Sequence, residues 1–176
     1  MNNPRASRLL LRIRVMTWIV IVGLVFSGLT AIPLETELDV LARMLGVEHL
    51  APEQALSGLS QWILKVRRGL QETNARHPFM AYGTDWLAFG HIVIAISFVG
   101  ALRDPVRNRW LFDFGLIACL LVIPWALILG GLRGIPLYWR LIDCSFGIVG
   151  AIPLWLARRW TNELEFPRQS TAKSRF

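Results

Sequence analysis

Four long apolar segments dominate this chain and restrict what it can fold into. They predict helices over about 15–33, 85–102, 110–132 and 136–158. A helix needs about 20 apolar residues to cross the ~30 Å hydrocarbon layer of a membrane, and each segment is close to that length. The sequence therefore predicts an all-α, polytopic membrane protein, built as a four-transmembrane-helix bundle.

Positive charge is concentrated in particular links between these segments. The formal net charge is +7, and the arginines gather before the first span, between the second and third spans, and after the fourth. Positive residues favour the cytoplasmic side, so we expect an inner-membrane protein with both termini cytoplasmic. Topology explains the charge without nucleic acid, which we exclude as a partner. The expected partners are membrane lipid and either a protein partner or a second copy of the chain.

The remaining parts of the chain form a basic N-terminus over 1–14, an insert over 34–83 and a tail over 161–176, which we predict to be disordered. The insert is expected to be extracytoplasmic and to contain two amphipathic helices. Thr36 is the predicted N-cap of the first helix, and Gly46 its stop. Pro52 is predicted to begin the second, which carries an apolar stripe at helical spacing. The stripe consists of Leu56, Leu59, Ile63, Val66 and Leu70.

Ionisable side chains inside a span are costly, so each one requires an explanation. Asp113 lies four residues after Arg109, and we predict that an ion pair along one helix explains it. The other ionisable groups collect at the outer ends of the four spans. They form the predicted ligand-binding set: Glu35, Glu37, Asp85, His91, Arg133, Arg140 and Asp143.

Structural explanations compete with a binding site at these positions. Arg140 and Asp143 are three residues apart and could pair with each other. Asp85 could complement a helix dipole, and His91 could donate to a carbonyl of a neighbouring helix. If the site is catalytic instead, the candidates for proton transfer are His91, Asp143 and Asp85.

Several chemistries lack their usual sequence patterns. One intramembrane histidine cannot supply both ligands of a bis-histidine haem, and neither HExxH, GxSxG, a P-loop nor CxxC occurs. The carboxylates and His91 have no diagnostic spacing, so we assign no metal site, and any cofactor is unknown. Cys119 and Cys144 both lie inside spans, and we expect two unrelated apolar thiols.

The leading functional hypothesis is a small membrane protein whose outward-facing ionisable site binds a partner, an ion or an amphiphile. On this hypothesis its role is accessory, not catalytic. One alternative is a membrane-embedded enzyme that uses His/Asp acid–base chemistry on a lipid or isoprenoid substrate. A second is an oligomeric ion- or proton-coupled transporter. The sequence does not decide whether the protein is an enzyme.

Overall fold

The computed structural model describes residues 4–55 and 57–173, and the side chains of 4–55 and 57–165. This part of the chain is helical, without a strand. Its elements are α1 (Pro4–Thr30), α2 (Leu34–Met44), a 3₁₀ turn (Pro52–Gln54), α3 (Gly58–Arg76), a second 3₁₀ turn (Pro78–Ala81), α4 (Tyr82–Arg103), α5 (Arg109–Leu132) and α6 (Leu137–Lys173).

Four helical segments are long and apolar enough to cross a membrane. They are Pro4–Thr30, Pro78–Arg103, Arg109–Leu132 and Leu137–Glu165. These helices support a transmembrane helical bundle, as the apolar segments predict. The first is longer than expected, because no helix breaker separates the basic lead-in from the apolar segment. Pro4 is its first helical residue, a position that favours proline.

The described part of the C-terminal tail is helical, whereas the sequence predicts disorder over 161–176. α6 continues without a break to Lys173, and residues 174–176 lie outside the described part. Contacts within the first turns of this extension explain the helix. The buried Thr161 hydroxyl donates to the Ala157 carbonyl over 2.8 Å. Leu164 is buried, and Glu165 accepts a hydrogen bond from Arg109 at 2.7 Å.

The chain divides into two compact units. The first contains residues up to Leu24 and from Ile94 onward, and the second is Val25–Val93.

Contacts in the first unit join parts of all four spans. Arg14 Nε of α1 donates to the Leu102 carbonyl of α4 over 3.3 Å. The rings of Phe98 and Phe112, both fully buried, are 6.5 Å apart between α4 and α5. The Arg12 guanidinium of α1 lies 5.7 Å from the ring centroid of Trp160 in α6. The first unit is therefore held by aromatic packing and by arginines that bond across helices.

A tight turn brings α5 and α6 together within this unit. Gly134 has φ +70° and follows the C-cap of α5, and the Ile135 amide donates back to the Gly130 carbonyl over 2.9 Å. This is a Schellman ending, which favours glycine because of the positive φ. Further along, a Cβ placed on Gly147 would lie 2.5 Å from the Cys119 carbonyl oxygen. The backbones of α5 and α6 therefore approach closely at a glycine. Cys119 and Cys144 do not form a disulfide bond with each other.

In the second unit, α2 and α3 are held together by a side-chain latch. Arg67 Nε of α3 donates to Asp39 Oδ1 of α2 at 2.5 Å, and Arg67 Nη1 donates to the Glu48 carbonyl at 3.0 Å. A small apolar cluster of Ala42, Ala55 and Leu64, with Val47 packed against it, lies beside this latch.

The predicted ends of the insert helices are correct in one case and wrong in others. Gly46 ends α2 with φ +67°, as predicted. Thr36 is not the cap, because α2 already begins at Leu34 after Pro33. Pro52 begins only a 3₁₀ turn, and Ser57 caps α3 by accepting from the Ser60 amide. Leu56 of the predicted stripe lies outside the described residues.

Candidate functional site

A cleft of about 520 Å³ opens in the second unit beside the start of α2, one face of α3 and the start of α4. Its lining is mostly apolar, with polar groups at several points. The lining residues are Ile32, Pro33, Leu34, Glu35, Thr36, Val66, Gly69, Leu70, Thr73, Asn74, Met80, Ala81 and Thr84.

One face of α3 provides a wall of the cleft. Its residues Val66, Gly69, Leu70, Thr73 and Asn74 follow the spacing that places side chains on a single helix face. This face continues the apolar stripe predicted for the insert, and it becomes polar at its C-terminal end. The helix therefore presents hydrocarbon and hydrogen-bonding groups side by side.

Glu35 and Asn74 meet in the cleft. Asn74 Nδ2 donates to Glu35 Oε2 over 2.8 Å, joining α3 to α2. An ionised carboxylate only accepts hydrogen bonds, so this contact fixes which end of the amide faces Glu35. The other end, Asn74 Oδ1, is buried and accepts no hydrogen bond from the described residues. A buried acceptor without a donor costs about 1–3 kcal/mol, so this oxygen requires a donor from outside the described residues.

Two threonines add further acceptors to the lining. The Thr73 hydroxyl donates to the Gly69 carbonyl and the Thr84 hydroxyl to the Ala81 carbonyl, both over 2.7 Å. Their single protons are therefore engaged within their own helical turns, and the remaining lone pairs are available to a ligand. Glu35 is the only ionisable side chain among the described lining residues.

Asp85 lies away from the cleft, although it is close in sequence to Thr84. It lines a separate, shallower depression of about 200 Å³ with Tyr82, Trp86 and Phe89. The Trp86 ring makes edge-on contacts with Tyr82 and Phe89 at centroid distances of 5.9 and 5.5 Å. Asp85 is exposed in the first turn of α4, where a carboxylate complements the helix dipole.

His91 bonds within its own helix. Its Nδ1 lies 2.8 Å from the Leu87 carbonyl, which can only accept, so Nδ1 carries the proton. His91 is six residues beyond Asp85, which separates them by about 9 Å along the helix and about 120° around it. A Cβ on Gly28 of α1 would lie 2.9 Å from His91 Cβ, so the histidine sits at a close helix crossing. Glu37 is half-buried on α2 and does not line the cleft.

The three remaining candidate residues belong to the first unit. Arg140 lies over Gly130 and donates from Nη1 to the Leu127 carbonyl over 3.1 Å, while its buried Nε has no partner among the described residues. The alternative pairing of Arg140 with Asp143 is not among the ion pairs of the described part. Asp143 is half-buried one turn later, and Arg133 is exposed at the C-cap of α5.

The predicted partner of Asp113 is wrong. Asp113 accepts from Arg158 Nε of α6 over 2.7 Å, and Arg109 instead pairs with Glu165 at the same distance. Both pairs cross between α5 and α6, and Glu165 reaches Arg109 because α6 extends beyond the predicted span.

Of the seven predicted site residues, only Glu35 lines the cleft. Whether all seven form one site stays a prediction, since four of them belong to one unit and three to the other. No group of three or more His, Cys, Asp or Glu side chains in the described part is arranged to hold a metal ion. Sequence reasoning missed Asn74, although its position one turn beyond Leu70 on the apolar stripe was a usable signal.

The cleft combines an apolar wall, one carboxylate and a surplus of acceptor oxygens over the two remaining donors, the Thr36 hydroxyl and the second Nδ2 proton of Asn74. This arrangement is suited to binding an amphiphile. The chain matches no known family model, no curated protein and no solved structure.

Proposed function

We propose that the protein is a small integral protein of the cytoplasmic membrane that binds an amphiphile in the cleft of the second unit. Its role is accessory, not catalytic. The observation that carries this proposal is the contact between Glu35 and Asn74 beside an apolar wall. A headgroup can satisfy the polar side of such a cleft while its chain covers the apolar side.

The position of the cleft in the chain supports the same proposal. Ile32 follows the end of α1 by two residues, and Met80 belongs to the segment that forms the second candidate span. The lining therefore adjoins the ends of two spans, where the headgroups of membrane amphiphiles concentrate. A lipid-derived ligand could reach Val66 and Leu70 without its chain crossing water.

The proposed orientation places the termini in the cytoplasm and the insert outside. It rests on the arginine distribution and can be tested by cysteine labelling in a cysteine-free background. His49 of the insert is exposed, as is Arg107 of the α4–α5 link. A membrane-impermeant maleimide should label His49→Cys in intact cells and Arg107→Cys only after permeabilisation. The opposite pattern would reverse the orientation.

Photolabelling tests the binding proposal directly. Four probes share a dodecyl chain carrying a diazirine and differ in headgroup: ammonium, trimethylammonium, hydroxyl or sulfate. With the protein in phosphatidylcholine nanodiscs, at least one probe should label Val66 or Leu70, as mapped by peptide mass spectrometry.

A variant that fills the cleft tests whether the labelling occurs there. Gly69 lines the cleft, and a Cβ placed there meets nothing within 4 Å, so Gly69→Trp should place its side chain in the cleft. Ala75→Trp is the matched control, since Ala75 is exposed on the same helix and does not line the cleft. Labelling that is absent with all four probes, or unaffected by Gly69→Trp, would refute amphiphile binding at this cleft.

A further inference from the structure

We infer that the cleft selects an amphiphile with a primary ammonium headgroup, held by Glu35 as its counter-ion. This inference rests on the proposed amphiphile binding and adds the chemical class of the headgroup. It follows from the imbalance between acceptors and donors in the lining.

The charge of the cleft favours a cation. Glu35 is the only ionisable side chain among the described lining residues, so a bound cation meets an opposite charge and no competing one. The amide groups that begin α2 would attract an anion, but Glu35 and Glu37 stand in that first turn and already complement them. An anionic headgroup would therefore meet the carboxylate at close range.

The hydrogen-bonding groups of the lining favour a primary ammonium, which can donate hydrogen bonds, over a quaternary ammonium, which cannot. A primary ammonium carries three N–H donors, whereas a quaternary ammonium carries none. The hydroxyl groups of Thr73 and Thr84 donate to backbone carbonyls, so these side chains can only accept hydrogen bonds from a ligand. Asn74 Oδ1 lacks a donor among the described residues and belongs to the amide group that bonds Glu35. An ammonium can thus donate to Glu35 and to the neutral oxygens together.

The same headgroup chemistry occurs in free long-chain amines and in phospholipids with an ethanolamine headgroup. In either case the hydrocarbon chain would lie along Val66 and Leu70. Competition against the ammonium photoprobe distinguishes these two sources.

The test compares the concentrations at which the photoprobes half-saturate labelling of the cleft. We expect the ammonium probe to require about tenfold less than the trimethylammonium or hydroxyl probe, as the loss of charge-assisted hydrogen bonds implies. Glu35→Gln should remove this preference while leaving residual labelling. Glu37→Gln should preserve it, because Glu37 occupies the same helix without lining the cleft.

Two photolabelling results would overturn the inference. They are equal labelling by the ammonium and trimethylammonium probes, and stronger labelling by the sulfate probe. If Gly69→Trp still blocks that labelling, amphiphile binding stands and only the headgroup assignment fails. Displacement by lysophosphatidylethanolamine at lower concentration than by dodecylamine would identify a phospholipid source, and the reverse order a free amine. Equal displacement by lysophosphatidylcholine would again contradict the selection of a primary ammonium.

Discussion

Asp113 of α5 accepts a hydrogen bond from Arg158 Nε of α6 over 2.7 Å. The two side chains are about a third exposed, at 40% and 33%, so the pair is only partly shielded from solvent. A second pair of the same length, Arg109 with Glu165, lies further along the same two helices. Two ion pairs therefore stabilise the α5–α6 contact at the end opposite the turn that connects the two helices.

A double-mutant cycle should show that Asp113 is coupled to Arg158. Asp113→Asn and Arg158→Gln should each destabilise the protein, with a coupling energy of about 0.5–1 kcal/mol as expected for a partly exposed pair. The corresponding cycle of Asp113→Asn with Arg109→Gln should be additive, because Arg109 bonds Glu165. Reversible unfolding in mixed detergent micelles measures both cycles. Coupling confined to Asp113 and Arg109 would contradict the observed pairing.

The latch between α2 and α3 should respond unequally to loss of its two partners. Arg67 bonds both Asp39 and the Glu48 carbonyl, so Arg67→Gln removes two contacts. Asp39→Asn keeps an oxygen that can still accept from Arg67 and from Gln71 Nε2, which lies 3.4 Å from Asp39 Oδ1. We expect a cost of about 1 kcal/mol or more for Arg67→Gln and less for Asp39→Asn. Faster amide hydrogen exchange in α2 and α3 provides the measurement.

Arg68→Gln provides the control for this latch. Arg68 neighbours Arg67 in sequence, but it is half-exposed and its contact with Glu53 is long, at 3.7 Å. Amide hydrogen exchange in α2 and α3 of Arg68→Gln should be as slow as in the unmodified protein. Equal effects of Arg67→Gln and Arg68→Gln would show that the latch does not hold the two helices.

The spans could be predicted from the sequence because an apolar segment of the right length has few alternatives to a membrane helix. The ion-pair partners of individual charged residues could not be predicted from the sequence. Asp113 has a suitable arginine at Arg109 on its own helix, and nothing local indicates that Arg158 takes its place. Arg109 instead pairs with Glu165, which belongs to the part of α6 beyond the predicted span, where the polar composition gives no sign of a membrane helix.

The cleft could be predicted only in part, for a related reason. Glu35 was identified because it is an acid at the end of a span. Asn74 carries no charge and lies 39 residues away in sequence, so its contact depends on the packing of α3 against α2. Pairing with Asp143 was one alternative for Arg140, but Arg140 lies over Gly130 and donates to the Leu127 carbonyl. Tertiary contacts therefore decided between partners that sequence spacing left equivalent.

The contact of Arg140 with Gly130 makes the effect of a Gly130→Ala substitution depend on residue 140. The added Cβ would lie 2.7 Å from Cγ and Cδ of Arg140, forcing the side chain away from the Leu127 carbonyl. Gly130→Ala should therefore cost about 1–3 kcal/mol in the unmodified protein. In an Arg140→Ala background, the same change should stabilise α5 by up to about 1 kcal/mol, because alanine favours a helix. Thermal unfolding of the four variants measures this reversal, and additive effects would contradict it.

Glycines inside the candidate spans should rank by what a methyl group would meet. At Gly147 the added Cβ would lie 2.5 Å from a backbone carbonyl of Cys119, which cannot move without shifting the helix. At Gly150 the nearest atom is the Cys119 sulfur at 3.3 Å, and at Gly90 of α4 nothing lies within 4 Å. We expect Gly147→Ala to cost about 1–3 kcal/mol, Gly150→Ala less, and Gly90→Ala nothing or a slight gain.

Thermal unfolding in nanodiscs measures the three variants under one condition. Gly90→Ala serves as the control, because it makes the same chemical change inside a span without a neighbouring atom. Equal stability of Gly147→Ala and Gly90→Ala would mean that α5 and α6 are further apart than the Cys119 contact requires. A loss confined to Gly147→Ala, which Cys119→Ala fails to relieve, would identify the carbonyl and not the thiol as the obstacle. That distinction matters because only a backbone obstacle makes glycine the one residue that position can accept.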